Sequence, residues 1–191
     1  MFFIINIQDK INLMFGFFLM FLFSILLLRV PVFGSENKAV ELGSSNLPIV
    51  IISTNGNTIK DKERVGAEMA IIWNDKNERN DISDPPNNYK GKIEIALHGQ
   101  SSLIFPKNSF RVETQDSFGK NLNVSLLGMP KENDWILYAP YSDKTLMRNV
   151  LSYTLASEIS GYAPRARFCE LVLNDHYHGV YYIAILCLQC S

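Results

Sequence analysis

The chain has 191 residues, of which 47% are hydrophobic, and a formal net charge of −1. This balance excludes the basic composition typical of nucleic-acid-binding proteins and gives no electrostatic reason for binding an anionic membrane surface. Once an apolar N-terminal segment is subtracted, the remaining length predicts one globular domain.

Residues 1–34 are the predicted export segment. Leu13–Leu28 is an almost unbroken apolar run, shorter than the roughly 20 residues that span a bilayer upright. Gly34 is a small residue where a signal peptidase would cut. The segment therefore predicts export to the cell envelope, the periplasm or the extracellular space. Two outcomes stay open, namely cleavage before Ser35 and retention of the segment as a membrane anchor.

A polar stretch at residues 35–46 is the predicted linker, and the region after it is rich in strand patterns. In one of these patterns Ile93, Ile95 and Leu97 share a face, while polar residues alternate with them. The charged, turn-rich stretch at residues 74–88 is interpreted as a surface loop. The predicted strands are Leu47–Thr54, Val65–Trp73, Lys92–His98, Ser109–Thr114 and Trp135–Tyr138.

One helix and one hairpin follow. Apolar residues recur at helical spacing from Leu146 to Ile159, with Asp143 as a plausible N-cap and Gly161 at the expected end. Phe168–Leu173 and Tyr177–Ile185 form a predicted hairpin across a turn that contains an Asn and an Asp. The order of elements predicts an α+β domain with a mostly antiparallel sheet and one principal helix.

The three cysteines give little support for a metal site. Cys169 lies on a predicted strand, where a buried free thiol is expected. Cys187 and Cys190 form a C-x-x-C, but zinc needs two further ligands. His176 and His178 could complete such a set, and the alternative is a pair of turn histidines beside an unstructured tail. We predict no metal site in this chain.

Three segments in order resemble the spore-coat protein H (CotH) kinase family: His98–Glu113, Leu126–Asn149 and Tyr162–Tyr182. The resemblance assigns residues 47–183 to the N-terminal region of such a kinase. It implies a fold like the small lobe of an atypical protein kinase. It also implies Mg²⁺ and ATP-dependent phosphorylation of serine or threonine on a surface or coat protein.

The chain departs from the family pattern in three places. His98 stands where the family has an arginine, and Asn108 replaces the second of two lysines. Residues 184–191 form an off-pattern tail where the family continues with acidic and basic residues. We therefore expect a fragment truncated before the catalytic aspartates, with no catalytic residues and no productive binding of ATP and Mg²⁺. The alternative is a genuine short form of the protein.

The resemblance implies a nucleotide-binding role for six residues. Lys107 is the candidate phosphate-holding cation, beside a turn whose backbone amides could face an anion. Arg148 could reach phosphate or pair with a carboxylate such as Glu170. Glu158 could orient a lysine. The alternatives are a solvated edge lysine, a structural ion pair and an exposed helix glutamate. The turn supplies Gly99, Ser101 and Ser102.

Asp134 and Asp143 are interpreted as capping or turn residues in preference to metal ligands. The kinase hypothesis expects an open face on which a second lobe would dock. An alternative hypothesis is a non-catalytic envelope or spore-coat component, whose hairpin at 168–185 would present an exposed sheet edge to another chain. The expected partners are a protein substrate or a coat or envelope protein, no nucleic acid, and the membrane if the N-terminal segment is uncleaved.

Overall fold

The computed structural model describes residues 42–74, 78–160 and 163–185. The predicted export segment at 1–34 and the end of the tail, 186–191, lie outside these ranges. Within them the strands are β1 (Ser44–Ser45), β2 (Ile49–Ser53), β3 (Val65–Ile72), β4 (Asn80–Asp81), β5 (Tyr89–His98), β6 (Ser109–Gln115), β7 (Asp134–Tyr138), β8 (Ala166–Leu173) and β9 (His176–Ile185). The helices are a 3₁₀ helix at Ser101–Ile104 and the α-helix α1 at Arg148–Ser160.

Seven of these strands close into a barrel in the order β2-β3-β5-β6-β7-β9-β8. Every neighbouring pair is antiparallel except β8 and β2, which close the barrel in parallel. In that closing pair Ile49 lies opposite Glu170 and Ile52 lies opposite Leu173. The predicted α+β fold with a mostly antiparallel sheet and one principal helix is confirmed.

Alternate residues of the strands fill the barrel interior. Trp135 and Tyr181 are both fully buried there, and the indole nitrogen of Trp135 donates a hydrogen bond of 3.2 Å to the carbonyl of Glu132. The period-2 pattern read from Ile93 and Ile95 is confirmed, because both side chains face the core. The interior also includes Val50, Ile52, Met69, Ile71, Phe110, Val112, Leu137, Leu171 and Ile183.

The two-stranded sheet of β1 and β4 stands apart from the barrel sheet. The side-chain amide of Asn80, which is 1% exposed, donates to the carbonyl of Leu47 at 2.9 Å. A second apolar cluster, of Ile49, Ile72 and Val172, is also buried. Strand β1 lies inside the predicted linker at 35–46. Strand β4 lies inside the predicted surface loop at 74–88.

The hairpin of β8 and β9 has no free edge. Strand β8 pairs with β2, and β9 pairs with β7. The expectation of an exposed sheet edge at this hairpin is wrong, because closure of the barrel satisfies both outer edges. The connecting turn has Asn174 and Asp175 at φ values of 50° and 63°, which Asn and Asp tolerate better than most residues.

Helix α1 begins two residues later than the apolar pattern, and none of its residues is buried. A stripe that we call the α1 stripe remains exposed. Its members are Met147, Leu151, Leu155 and Ile159, with exposed fractions from 50% to 87%. The strands close into a barrel, so the sheet does not offer the open face that the kinase hypothesis expected. The exposed apolar surface on α1 is a separate feature. Among the described residues, no helix combines the length and the apolar character needed to cross a membrane.

Candidate functional site

The Gly99 turn leads from β5 into the 3₁₀ helix. Gly99 has a φ of 116°, a conformation that residues with a Cβ rarely adopt. A Cβ at this position would also collide with the hydroxyl of Ser102. The amides of Leu103 and Phe105 donate to the carbonyls of Gln100 and Ser102. This tight turn directs the chain toward Lys107 and β6.

Lys107 joins two segments that are 73 residues apart in the sequence. Its Nζ donates a 2.7 Å hydrogen bond to the carbonyl of Val180 and lies 4.4 Å from the centroid of the Tyr181 ring. The Tyr181 hydroxyl in turn donates to the carbonyl of Asn108 at 3.0 Å. We call this arrangement the Lys107 junction. The junction holds the segment that precedes β6 against strand β9.

Gly179 leaves room for the Lys107 junction. Its φ is 83°, and a Cβ there would lie 3.4 Å from the Nζ of Lys107. The register of β8 and β9 shifts between Leu171 and Val172, close to this glycine. The irregular strand and the missing side chain together let the ammonium reach the Val180 carbonyl.

Burial is the main electrostatic influence on Lys107. Desolvation lowers the pKa of its ammonium, and the nearby Glu170 and Cys169 partly oppose that change. The positive charge of Lys107 also helps to lower the pKa of His178, after the larger effects of burial and of His176. Lys107 is therefore a half-buried cation, and the alternative of a fully solvated edge lysine does not describe it.

Glu170 is the buried acid of this region, with 7% of its surface exposed. Its backbone lies opposite Val180 in the hairpin, the residue whose carbonyl binds Lys107. One carboxylate oxygen accepts a 3.0 Å hydrogen bond from the Ser45 hydroxyl, and the other accepts a 2.8 Å bond from the Tyr177 hydroxyl. The sequence suggested Glu170 as a possible partner for Arg148.

Arg148 pairs with Asp143 instead of Glu170. The Arg148 Nε lies 3.4 Å from Asp143 Oδ1, and 75% of the arginine side chain is exposed. The Asp143 carboxylate also accepts hydrogen bonds from Thr145 and from the Arg148 amide, and the hydroxyl bond of Thr145 is the main cause that lowers its pKa. The expected turn role of Asp143 is confirmed, and the suggested pair between Arg148 and Glu170 is wrong.

Glu158 lies on the exposed surface of α1. No ion pair within the described ranges joins it to Lys107. Its predicted role in orienting a lysine stays a prediction. The start of α1 reaches β9 by another route, because the side-chain amide of Asn149 donates to the Tyr182 hydroxyl at 3.0 Å.

The carboxylates on β6 and β7 are neutralised by arginines. Arg64 pairs with Glu113 and lies 3.6 Å from Asp134, while Arg111 lies 3.0 Å from the same aspartate. Asp134 is thus an ion-pair residue and not the cap that its sequence context suggested. In the part of the chain that the structure describes, no group of three His, Cys, Asp or Glu residues could hold a metal ion. Glu113 and Asp134, whose charges are balanced by arginines, therefore do not form a site that fits Mg²⁺.

A cavity of about 560 Å³ adjoins the Lys107 junction, within the size range of small-molecule sites. Asn108 lines it, and the Oδ1 of that residue is buried without a hydrogen-bond partner among the described residues. Asn174 fixes the rim, because its Oδ1 accepts a 2.8 Å bond from the amide of Thr54. The lining also includes Asn57, Thr58, Leu97, Phe110 and His178. It can therefore accept a partly apolar, hydrogen-bonding group.

Comparison with known proteins concerns the same part of the chain. A family model described as CotH kinase protein matches residues 95–184. That range contains the Gly99 turn, the Lys107 junction, α1 and the hairpin of β8 and β9. A search of curated proteins found no match to the chain. Residues 95–184 of this chain are therefore a CotH kinase family domain.

Proposed function

We propose that this chain supplies the ATP-binding region of a CotH-type protein kinase. The parent activity moves the γ-phosphoryl group of ATP to a serine or threonine hydroxyl on a surface or coat protein. The family match supports the reaction class. The matched segments fold into one connected arrangement.

The Lys107 junction is the observation that carries the proposal. A half-buried ammonium, held by the Val180 carbonyl and the Tyr181 ring, is a cation of fixed position. Phosphoryl transfer depends mainly on positioning and on electrostatic stabilisation of the phosphate oxygens. The neighbouring cavity of about 560 Å³ has the size for the nucleoside part of ATP.

We further propose that the described domain transfers no phosphate by itself. Metal-bound phosphoryl transfer needs carboxylates that are free to bind Mg²⁺. Here Glu113 and Asp134 face Arg64 and Arg111, so the arginines already balance their charge. No step through Mg²⁺ is assigned to these residues, and the metal ligands would come from outside the described domain.

Titration of the full chain with a fluorescent ATP analogue tests the binding proposal. We expect saturable binding that the Lys107→Met variant weakens by roughly tenfold or more, because a charge-assisted contact to phosphate is lost. The matched control is Lys144→Met, since Lys144 is exposed and lies outside the junction. Absence of saturable binding, or equal loss in both variants, would contradict the proposal.

Incubation of the full chain with radiolabelled ATP, Mg²⁺ and a serine-rich protein tests the second proposal. We expect no transfer above the rate of a sample without protein. Robust transfer would show that a catalytic carboxylate set is already present.

Export to the envelope or the extracellular space is part of the proposal, and its support is the apolar segment at Leu13–Leu28. The alternative of a non-catalytic envelope or coat component is favoured by the exposed α1 stripe. The two functions differ in one measurement, because only the kinase proposal requires the nucleotide titration to saturate.

A further inference from the structure

Helix α1 has two sides that differ in their surroundings. Its half-buried residues include Asn149, Val150 and Tyr153, and the side-chain amide of Asn149 donates to the Tyr182 hydroxyl on β9. At about 3.6 residues per turn, the α1 stripe lies on the side of the helix opposite to these residues. The members of the stripe keep 50% to 87% of their surface exposed. The stripe therefore faces away from the barrel, which leaves it uncovered.

The charged residues of α1 are Arg148 in its first turn and Glu158 in its last turn. At about 3.6 residues per turn, both positions fall within the arc that the α1 stripe spans. Arg148 lies 3.4 Å from Asp143, yet 75% of the arginine side chain stays exposed. Within the described ranges, Glu158 takes part in no ion pair. The stripe thus carries opposite charges at its two ends, and each charge can accept a further partner.

These two charges are placed against the dipole of their own helix. Acidic residues stabilise the first turn of a helix and basic residues stabilise the last turn, whereas α1 has no acid in its first turn and no base in its last turn. An antiparallel neighbour reverses the polarity. Arg148 then faces the negative end of the neighbouring helix, and Glu158 faces its positive end. The charges therefore favour an antiparallel helix as the partner of the stripe.

A second copy of α1 matches the first in this orientation. With a twofold axis level with Tyr153, Leu151 lies opposite Leu155 of the second copy, and Arg148 lies opposite Glu158 of the second copy. A parallel pair would instead bring like charges together, which is unfavourable. Because a twofold contact uses the same surface on both partners, it closes at two copies.

We propose that two copies of this chain pair through their α1 stripes, as antiparallel helices about a twofold axis. This inference does not depend on the proposed kinase function. A contact between single helix faces buries less than the roughly 1,200–2,000 Å² of a stable complex, so the dimer is weak and dilute protein is monomeric. The apolar side chains supply most of the affinity, and the exposed ion pairs mainly set the orientation.

Sedimentation velocity of the full chain at increasing concentration measures the association. We expect a monomer–dimer equilibrium with a dissociation constant of about 10–100 µM. Leu151→Gln and Leu155→Gln should each raise that constant by about tenfold or more, because each leucine occurs twice in a twofold interface. The matched control is Leu122→Gln, which should leave the constant unchanged, since Leu122 is 41% exposed but lies outside α1.

Charge reversal tests the antiparallel orientation. Arg148→Glu and Glu158→Arg should each weaken the dimer by about fivefold or more. The double variant recreates both ion pairs with the charges exchanged, so it should regain most of the affinity. An equimolar mixture of the two single variants should also associate, because each pair then joins opposite charges. Lys144→Glu is the control, since Lys144 is exposed and precedes the helix. A loss that arose from Asp143 of the same copy would not be repaired by Glu158→Arg.

Three results would overturn the inference. A monomer at every concentration would mean that the α1 stripe is covered within the chain or binds a different molecule. A dimer that withstands both leucine substitutions would form elsewhere, for example through the apolar segment Leu13–Leu28. A double charge variant as weak as the single variants would exclude the antiparallel pairing. If one charge variant does not fold, as judged by circular dichroism, the leucine variants and the concentration series still decide.

Discussion

Two glycines make the geometry around Lys107 possible, one before it in the sequence and one after it. Gly99 and Gly179 have φ values of 116° and 83°, in the region that favours residues without a Cβ. Gly99 also lies against the Ser102 hydroxyl, and Gly179 against the Lys107 ammonium. The value of these motif glycines is thus steric, and they position the residues beside them.

We expect Gly99→Ala to lower the free energy of unfolding by about 1–2 kcal/mol, because an alanine would have to adopt a left-handed conformation. Urea denaturation of the full chain measures the change. Gly66→Ala is the matched control, since Gly66 lies on a strand with open space around it. Its effect should stay within about 0.5 kcal/mol. Equal effects at both glycines would contradict the steric explanation.

The sequence singled out Lys107 but could not show what it touches. Its acceptor is a backbone carbonyl, 73 residues away, and every residue type carries such a group. The position of that carbonyl depends on the register of β8 and β9, and a one-residue slip would change it. The family resemblance suggested Glu158 as a glutamate that could orient a lysine, and that role stays a prediction.

Helix α1 shows how far periodicity alone can be trusted. Leu151 and Leu155 recur at helical spacing, and the helix exists where the pattern predicted it. A periodic apolar stripe normally faces a core, yet these two residues are 53% and 50% exposed. The period of a pattern predicts the type of element, but it does not identify the surface that covers the apolar side.

We expect Leu151→Gln and Leu155→Gln each to change the free energy of unfolding by less than about 0.5 kcal/mol. Both leucine side chains are already about half exposed in the folded domain, so the substitutions remove little buried apolar surface. Thermal and urea unfolding of the full chain measure the effect. Leu137→Ala is the buried comparison and should cost about 2–5 kcal/mol. A loss above about 1 kcal/mol at either stripe position would mean that the stripe is covered in solution.

At the scale of the whole molecule, the strands were predictable and their closure was not. Alternation assigns Ile93 and Phe110 to an inner face wherever their strands pair. The parallel contact of β2 with β8 leaves no trace in the local pattern of either strand. A sheet with a free edge was therefore the simpler expectation, and the barrel differs from it at that one contact.

We expect the stability of the domain to fall as pH decreases below about 6.5. Burial lowers the pKa of both His98 and His178 from their ordinary value of 6.5. For a base with a lowered native pKa, the unfolded chain binds the proton first, so stability declines from 6.5 downward. The urea midpoint as a function of pH measures this decline.

The double variant His98→Gln with His178→Gln serves as the control for that pH dependence. Its midpoint should vary less between about pH 7 and about pH 5 than that of the wild type. If the two curves are parallel over this interval, other groups cause the decline.

The joint between the start and the end of the barrel also sets the order in which the chain can fold. The Thr54 amide meets the side chain of Asn174 across a separation of 120 residues, beside the closing pair of β2 and β8. High contact order of this kind slows folding. During synthesis, β2 has no β8 to pair with until the last hairpin has left the ribosome. We therefore expect the nascent chain to complete this domain only after translation has passed its final strand.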